Sequence, residues 1–154
     1  MKTTIINLFG GAGAGKSTLM AFLYAHIKSD SKFPSIEMCQ EFAKLLVLQG
    51  RASMLSNQHY VTDNQIRMIK PFLGNVPLVV TDSPLLLGKV YAKDKIKQEI
   101  AEKINNALDG TDEINIFVKR SGIEFEQFGR VHTLKESMQK MKKLYKCSKQ
   151  KINK

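Results

Sequence analysis

Nine residues near the amino terminus constrain this chain more than any other feature. Residues 10–18 read Gly-Gly-Ala-Gly-Ala-Gly-Lys-Ser-Thr and match the spacing G-x-x-x-x-G-K-[ST]. Glycines allow a tight turn that aims successive backbone amides at phosphate oxygens, and a helix that follows adds its positive end to the same anion site. An apolar run (Thr3–Phe9) precedes the glycines and helix-forming residues (Leu19–Ala25) follow them. The order strand, loop, helix therefore predicts a phosphate-binding loop.

The side chains of this loop predict a nucleotide with its Mg²⁺ ion as ligands. Lys16 is expected to reach the β- and γ-phosphates, and Ser17 to offer its hydroxyl to Mg²⁺. The alternative is a glycine turn with a structural role only. The residues predicted to bind the nucleotide are Gly11, Ala12, Gly13, Ala14, Gly15, Lys16, Ser17 and Thr18.

A second buried strand ends in an acid. Apolar residues from Val76 to Val80 lead to Thr81-Asp82-Ser83-Pro84, which has the form of a Walker B motif. Open parallel sheets bind their ligands at the carboxyl ends of the strands. We therefore expect Asp82 to hold Mg²⁺ opposite Ser17; the alternative is an aspartate that caps the turn before Pro84.

Two further groups are candidates for catalysis. Glu37 follows a short predicted strand, so we expect it to face the same crevice and to accept a proton from an attacking hydroxyl. Arg120 and Arg130 bracket a polar segment, and guanidinium groups on a lid can balance the charge of a transferred phosphoryl group. The alternative for all three side chains is an ordinary surface position. The predicted catalytic set is Lys16, Glu37, Asp82, Arg120 and Arg130.

Length and patterning predict one domain. The 154 residues suit a single core, and strands that alternate with helices favour an α/β fold. We expect the three-layer fold of P-loop NTPases, with a mostly parallel sheet of about four strands and helices on both faces. Helices are predicted over residues 40–48, 58–73 and 95–108. The domain is predicted to cover residues 1–145, with residues 146–154 as a basic tail.

Charge and cysteine content bear on partners and location. The net charge is +10, and residues 135–154 contain eight lysines and one acid. A basic helix and tail of this kind can meet nucleic acid, or can be a solvated surface. No apolar run approaches the ~20 residues that span a bilayer, so no membrane partner is expected. Cys39 and Cys147 match no metal-ligand spacing, which favours free thiols in a cytoplasmic protein.

The sequence resembles small ATP-binding proteins of bacteriophages, which are similar to the nicotinamide-riboside-kinase-like branch of the P-loop kinases. The resemblance is carried by Phe9–Thr18, Ile36–Lys44, Val79–Leu87 and Gly129-Arg130. It implies a kinase fold in which the strand ending at Asp82 lies beside the first strand. It also implies that Glu37 and Asp82 are the catalytic carboxylates and that the lid carries the two arginines. Residues 57–67 lie where such kinases hold the phosphate acceptor.

Three functions remain open at this point. The first is ATP- and Mg²⁺-dependent phosphorylation of a nucleoside, a nucleotide or a related small metabolite. The second is a kinase that acts on nucleic acid ends or on a modified DNA base, for which the basic segment is the motive. The third is an ATP-binding regulatory protein with slow hydrolysis. No Asn-Lys-x-Asp sequence of guanine-specific proteins occurs, and large mechanical ATPases need a longer chain.

Overall fold

The computed structural model describes residues 1–119, in which strands and helices alternate along the chain. The strands are β1 (Thr4–Phe9), β2 (Ile36–Cys39), β3 (Leu78–Thr81) and β4 (Asp112–Phe117). The helices are α1 (Lys16–Ser29), α2 (Phe42–Leu48), α3 (Gln58–Ile69), α4 (Leu87–Tyr91) and α5 (Asp94–Leu108). Short 3-10 helices lie at Ala52–Ser56 and Lys70–Phe72.

The four strands form one parallel sheet in the order β2-β3-β1-β4. Residues 4–7 of β1 pair with residues 78–81 of β3. The strand that leads to Asp82 therefore lies beside the strand that leads to the glycine loop, as the family resemblance implies. Because the two strands are parallel, both connections leave the sheet at the same edge.

Apolar side chains cover the sheet on both faces. Ile5 and Ile6 are neighbours in β1 and therefore point to opposite faces. Ile5 packs in a cluster with Ile100 and Ile104 of α5, whereas Ile6 packs with Met20 of α1. Burial on both sides explains why β1 is a nearly continuous apolar run rather than an alternating one. The predicted α/β class, with a parallel sheet of four strands, is confirmed.

Some element boundaries differ from the sequence prediction. The helix predicted from Gln40 begins at Phe42, because β2 continues to the buried Cys39. The helix predicted to reach residue 73 ends at Ile69 and gives way to a 3-10 turn around Pro71, which has no amide hydrogen to continue an α-helix. Helix α4 is not predicted by the sequence, since five residues are too few to show a helical period.

None of the helices within residues 1–119 combines the length and the apolar character that crossing a lipid bilayer requires.

Candidate functional site

The glycine loop joins the end of β1 to the start of α1, as predicted. Gly13 and Gly15 have φ values of 72° and 88°, in the left-handed region that side chains other than glycine rarely adopt. Gly15 is the residue before the first turn of α1, so the loop turns directly into the amino end of a 14-residue helix. Backbone amides of the loop and of this first turn therefore face one edge of the sheet, where they can bind an anion.

Gly10 is required for space rather than for backbone conformation. A Cβ atom at this position would lie 2.8 Å from the carbonyl oxygen of Val118, which follows β4. The amide of Val118 donates to the carbonyl oxygen of Phe9 at 2.7 Å, which holds the end of β4 against the start of the loop. The first glycine of the motif thus lets β4 pass close to the loop.

Lys16 lies over its own loop. Its Nζ atom donates hydrogen bonds to the carbonyl oxygens of Gly10, at 3.1 Å, and of Gly11, at 3.2 Å. The ammonium group is therefore held above the turn whose amides face the edge of the sheet. This is the position from which a lysine can share an anion with those amides.

Ser17 and Asp82 meet, as their motifs predict. The Ser17 hydroxyl donates a hydrogen bond to Oδ2 of Asp82. Asp82 directly follows β3 and is 4 % exposed, and its other oxygen, Oδ1, is buried without a hydrogen-bond partner among the described residues. A buried carboxylate oxygen without a donor is costly unless a cation or a donor satisfies it. One carboxylate and one hydroxyl are a typical protein contribution to a Mg²⁺ site that phosphates complete.

The expected position of Glu37 is wrong. Glu37 lies within β2 rather than after it, and it is not among the described residues that line the cleft at the loop. Its carboxylate accepts a hydrogen bond from Lys28 of α1 at 2.6 Å. This contact raises the pKa of Lys28 above its ordinary value. Glu37 pairs with Val79 of β3, so it lies inside the sheet and not at the end of the strand.

Glu41 is the acid that faces the loop. It occupies the position before the first turn of α2 and lines the same cleft as Lys16 and Asp82. Burial raises the pKa of the Glu41 carboxyl above its ordinary value, with the positive charges of Lys16 and Lys44 opposing this rise and the charge of Asp82 adding to it. Burial, with a smaller contribution from Glu41, also raises the pKa of Tyr91 in α4. The Glu41 carboxyl, which lines the same cleft as the glycine loop, therefore holds a proton more readily than an ordinary glutamate.

The cleft continues from the loop into a chamber between helices, and its total volume is about 970 Å³. Helices α2, α3, α4 and α5 and the 3-10 helix at Ala52–Ser56 all contribute side chains to it. Part of the polar run over residues 57–67 faces this chamber through Gln58, Thr62 and Gln65. Its walls are largely apolar: Ala43, Val47, Leu48, Leu55, Val61 and Ile96.

Gln65 connects α3 to the turn between β2 and α2. Its Oε1 accepts a hydrogen bond from the amide of Phe42 at 2.8 Å, and its Nε2 donates to the carbonyl oxygen of Gln40 at 2.9 Å. The side chain is 5 % exposed. Sequence reasoning did not identify Gln65 or Tyr91 as site residues, because neither lies in a motif.

Several predicted features lie outside the described residues. These are the lid arginines Arg120 and Arg130, the helix expected after Thr133 and the basic tail over residues 146–154. Residues 1–119 contain no group of three or more His, Cys, Asp or Glu side chains that could hold a metal ion. A cation at Asp82 and Ser17 would therefore take phosphate or water oxygens as its other ligands.

No protein-family model matches the chain, and a search of curated proteins finds no similar sequence.

Proposed function

We propose that this protein is a P-loop kinase, an ATP- and Mg²⁺-dependent phosphotransferase that acts on a nucleoside, a nucleotide or a related small metabolite. One observation carries the proposal: a single cleft joins a glycine loop to a largely apolar chamber and is lined by the Glu41 carboxyl. Burial raises the pKa of this carboxyl. A protein that only bound ATP would need the loop but not the chamber. A fold of this kind hosts many functions, so the argument depends on the site.

The loop suits the phosphates of ATP. Backbone amides of the loop and of the first turn of α1 would donate to the β- and γ-phosphate oxygens. Lys16 would exchange its two bonds to carbonyl oxygens for bonds to phosphate, in which donor and acceptor are both charged. The affinity for nucleotide would therefore depend strongly on Lys16.

Ser17 and Asp82 fit a Mg²⁺ ion brought in with the nucleotide. The ion, when bound, neutralises charge on the β- and γ-phosphates and orients them. Oδ1 of Asp82 lacks a partner among the described residues, and the Ser17 hydroxyl is already directed at the same carboxylate. These two side chains would hold the ion, with phosphate and water oxygens as its remaining ligands.

Glu41 is the proposed proton acceptor in the transfer step. A hydroxyl of the acceptor loses its proton to the Glu41 carboxylate as its oxygen forms a bond to the γ-phosphorus. The bond from that phosphorus to the bridging oxygen breaks, and ADP leaves with the electron pair. Burial favours this role, since a general base works best when its pKa lies near the working pH. Arg120 and Arg130 stay predictions as lid residues that balance charge on the transferred group.

The chamber is the proposed acceptor site. Its apolar walls would bury the body of a small acceptor and exclude water from the transferring phosphoryl group. Glu41 and Asp82 are the two acids that line the cleft among residues 1–119. The acceptor hydroxyl would sit beside Glu41, at the mouth of the chamber and against the phosphate loop.

A product screen tests the proposal. The protein is incubated with MgATP and a pool of nucleosides and nucleoside 5′-monophosphates, and mass spectrometry detects any compound that has gained one phosphoryl group. Lys16→Ala serves as the inactive variant, and Lys97→Ala, on the exposed side of α5, is the matched lysine control. The expected result is one acceptor class phosphorylated by the wild type and by Lys97→Ala only.

Three outcomes contradict the proposal. Failure to bind MgATP would remove its basis. ATP hydrolysis without any phosphorylated acceptor, together with a protein partner whose affinity depends on nucleotide, would favour the regulatory alternative. Phosphorylation of DNA ends but of no small molecule would favour the nucleic-acid kinase.

A further inference from the structure

We propose that Gln65 is a positioning residue that holds Glu41 at the phosphate loop, an inference that rests on the proposed function of Glu41 as proton acceptor. Gln65 belongs to α3 and lies 24 positions after Glu41 in the sequence, yet its amide binds the backbone on both sides of that residue. It is almost fully buried and lines the cleft.

The two hydrogen bonds hold the backbone on both sides of Glu41. Gln65 Nε2 donates to the carbonyl oxygen of Gln40, at 2.9 Å, and Oε1 accepts from the amide of Phe42, at 2.8 Å. These groups belong to residues on either side of the Glu41 Cα atom. A side chain that binds both flanking residues limits rotation of the backbone at Glu41 and so fixes the point from which its side chain enters the cleft. Nε2 also lies 3.5 Å from the sulfur of Cys39, at the end of β2.

The Glu41 carboxyl does not cap helix α2. An acid before the first turn of a helix often accepts a hydrogen bond from an amide of that turn. Glu41 has this position before α2, which lies wholly in the described range, but its side chain makes no such capping bond. Gln65 accepts from the first amide of α2, which a capping side chain does not normally reach, so a different helix holds this end of α2. The Glu41 carboxyl, which makes no capping bond, can then face Lys16 and Asp82.

The chemistry of the position favours glutamine. One bond requires a donor and the other an acceptor, and the primary amide of glutamine offers both on one rigid group. A methionine of similar length could fill the volume but could make neither bond. Helix α3 also lines the chamber through Val61 and Thr62. The helix that would contact the acceptor is therefore also the helix whose Gln65 holds the backbone around Glu41, the proposed base.

The test compares Gln65→Met with Gln98→Met. Gln98 is the control for the substitution, since it lies at an exposed position of α5, is not among the residues that line the cleft, and also donates a side-chain hydrogen bond, to Glu102 at 2.8 Å. MgATP alone is the probe, with water in the place of the acceptor, so the acceptor need not be known. We expect Gln65→Met to lower kcat for hydrolysis by about tenfold, because general-base catalysis would lose part of its contribution. The KM for MgATP should stay within about twofold, and Gln98→Met should change neither constant.

A double variant separates positioning from a general structural role. If Gln65 acts through Glu41, then Gln65→Met should cause no further loss of kcat in a Glu41→Gln background. Equal losses in both backgrounds, or an unchanged kcat in Gln65→Met, would overturn the inference. A wild type without any turnover would contradict the proposed function instead.

A second measurement does not need turnover. The carboxyl ¹³C resonance of Glu41 can be assigned by its absence in Glu41→Gln. It should shift in Gln65→Met and stay in place in Gln98→Met. A resonance that is unchanged in Gln65→Met would overturn the inference even in a protein that shows no catalysis.

Discussion

Ser17, in the first turn of α1, donates its hydroxyl hydrogen bond to Asp82, which follows β3. The two residues are 65 positions apart, and the pairing of β1 with β3 brings them together. Asp82 is the only one of the two with a negative charge, and its second oxygen has no partner within residues 1–119. This relationship defines the part of the cleft where a cation would bind.

Asp82→Asn should reduce the binding of nucleotide in the presence of Mg²⁺ only. The amide keeps the size of the side chain and can still contact Ser17, but it removes the charge that a cation requires. We expect the affinity for MgADP to fall by at least about tenfold, or about 1.4 kcal/mol. Isothermal titration with and without Mg²⁺ measures both affinities.

Asp109→Asn is the control for this prediction, since Asp109 is an exposed acid at the end of α5. An Asp82→Asn variant that binds MgADP as well as the wild type would show that the aspartate serves only the turn before Pro84.

Glu41→Gln should slow phosphoryl transfer, whereas Glu37→Gln should leave its rate nearly unchanged. Glu41 lines the cleft, whereas the Glu37 carboxylate is bound to Lys28. We expect Glu41→Gln to lower kcat by about 100-fold or more with little change in the affinity for MgATP, because it removes a proton acceptor. Glu37→Gln should keep nearly full activity. The rate of product formation with the acceptor found in the screen measures both, and the reverse order of activities would refute the assignment.

Glu41→Gln should stabilise the protein at neutral pH. Burial raises the pKa of Glu41 in the folded state, so the folded state binds more protons than the unfolded state as the pH rises past the ordinary glutamate pKa of about 4.3. The wild type therefore loses stability with increasing pH through this window, until the folded-state carboxyl is also ionised. A glutamine side chain does not ionise, so its burial causes no such loss of stability at neutral pH.

Urea unfolding of both proteins over the pH range measures this effect. The difference in the free energy of unfolding should be smallest below the ordinary pKa and should grow towards neutral pH. Glu102→Gln, at an exposed position of α5, controls for the loss of one negative charge from a protein of net charge +10. A difference that does not change with pH would contradict the prediction.

Gly10→Ala should destabilise the protein and weaken nucleotide binding together. The added Cβ would lie 2.8 Å from the carbonyl oxygen of Val118, so either the loop or the end of β4 must move. Overpacking of this kind typically costs about 1–3 kcal/mol. Urea unfolding and titration with MgADP measure the two effects. Unchanged values for both would mean that the end of β4 can shift without cost.

The parts of the fold that the sequence predicts are those with a strong local signal. The apolar run before Gly10 and the run before Asp82 predict two buried strands, and the glycine spacing predicts the loop between β1 and α1. The amphipathic period of Ile96, Ile100 and Ile104 predicts α5. Each of these signals is a property of contiguous residues, and the structure confirms each of them.

The parts that the sequence does not predict depend on contacts between distant residues. The end of β2 is set by its pairing with β3, where Cys39 pairs with Thr81. The sequence prediction chose Glu37, which is paired inside β2, although Glu41 is the acid after β2 that lines the cleft. The role of Gln65 depends on the packing of α3 against the start of α2, for which no local pattern exists.

The cleft is built from two structurally separate parts of the chain. The end of the cleft at the glycine loop follows the two inner strands of the sheet, β1 and β3. Each of these strands has a neighbour on both sides. Its chamber is made by helices that follow β2 and β3 and contribute no strand. Chamber side chains that belong to neither buried cluster on the sheet, such as Val47 and Leu55, can therefore be exchanged without touching the strands that support the loop. In this architecture, such exchanges would alter the proposed acceptor site and leave the glycine loop unchanged.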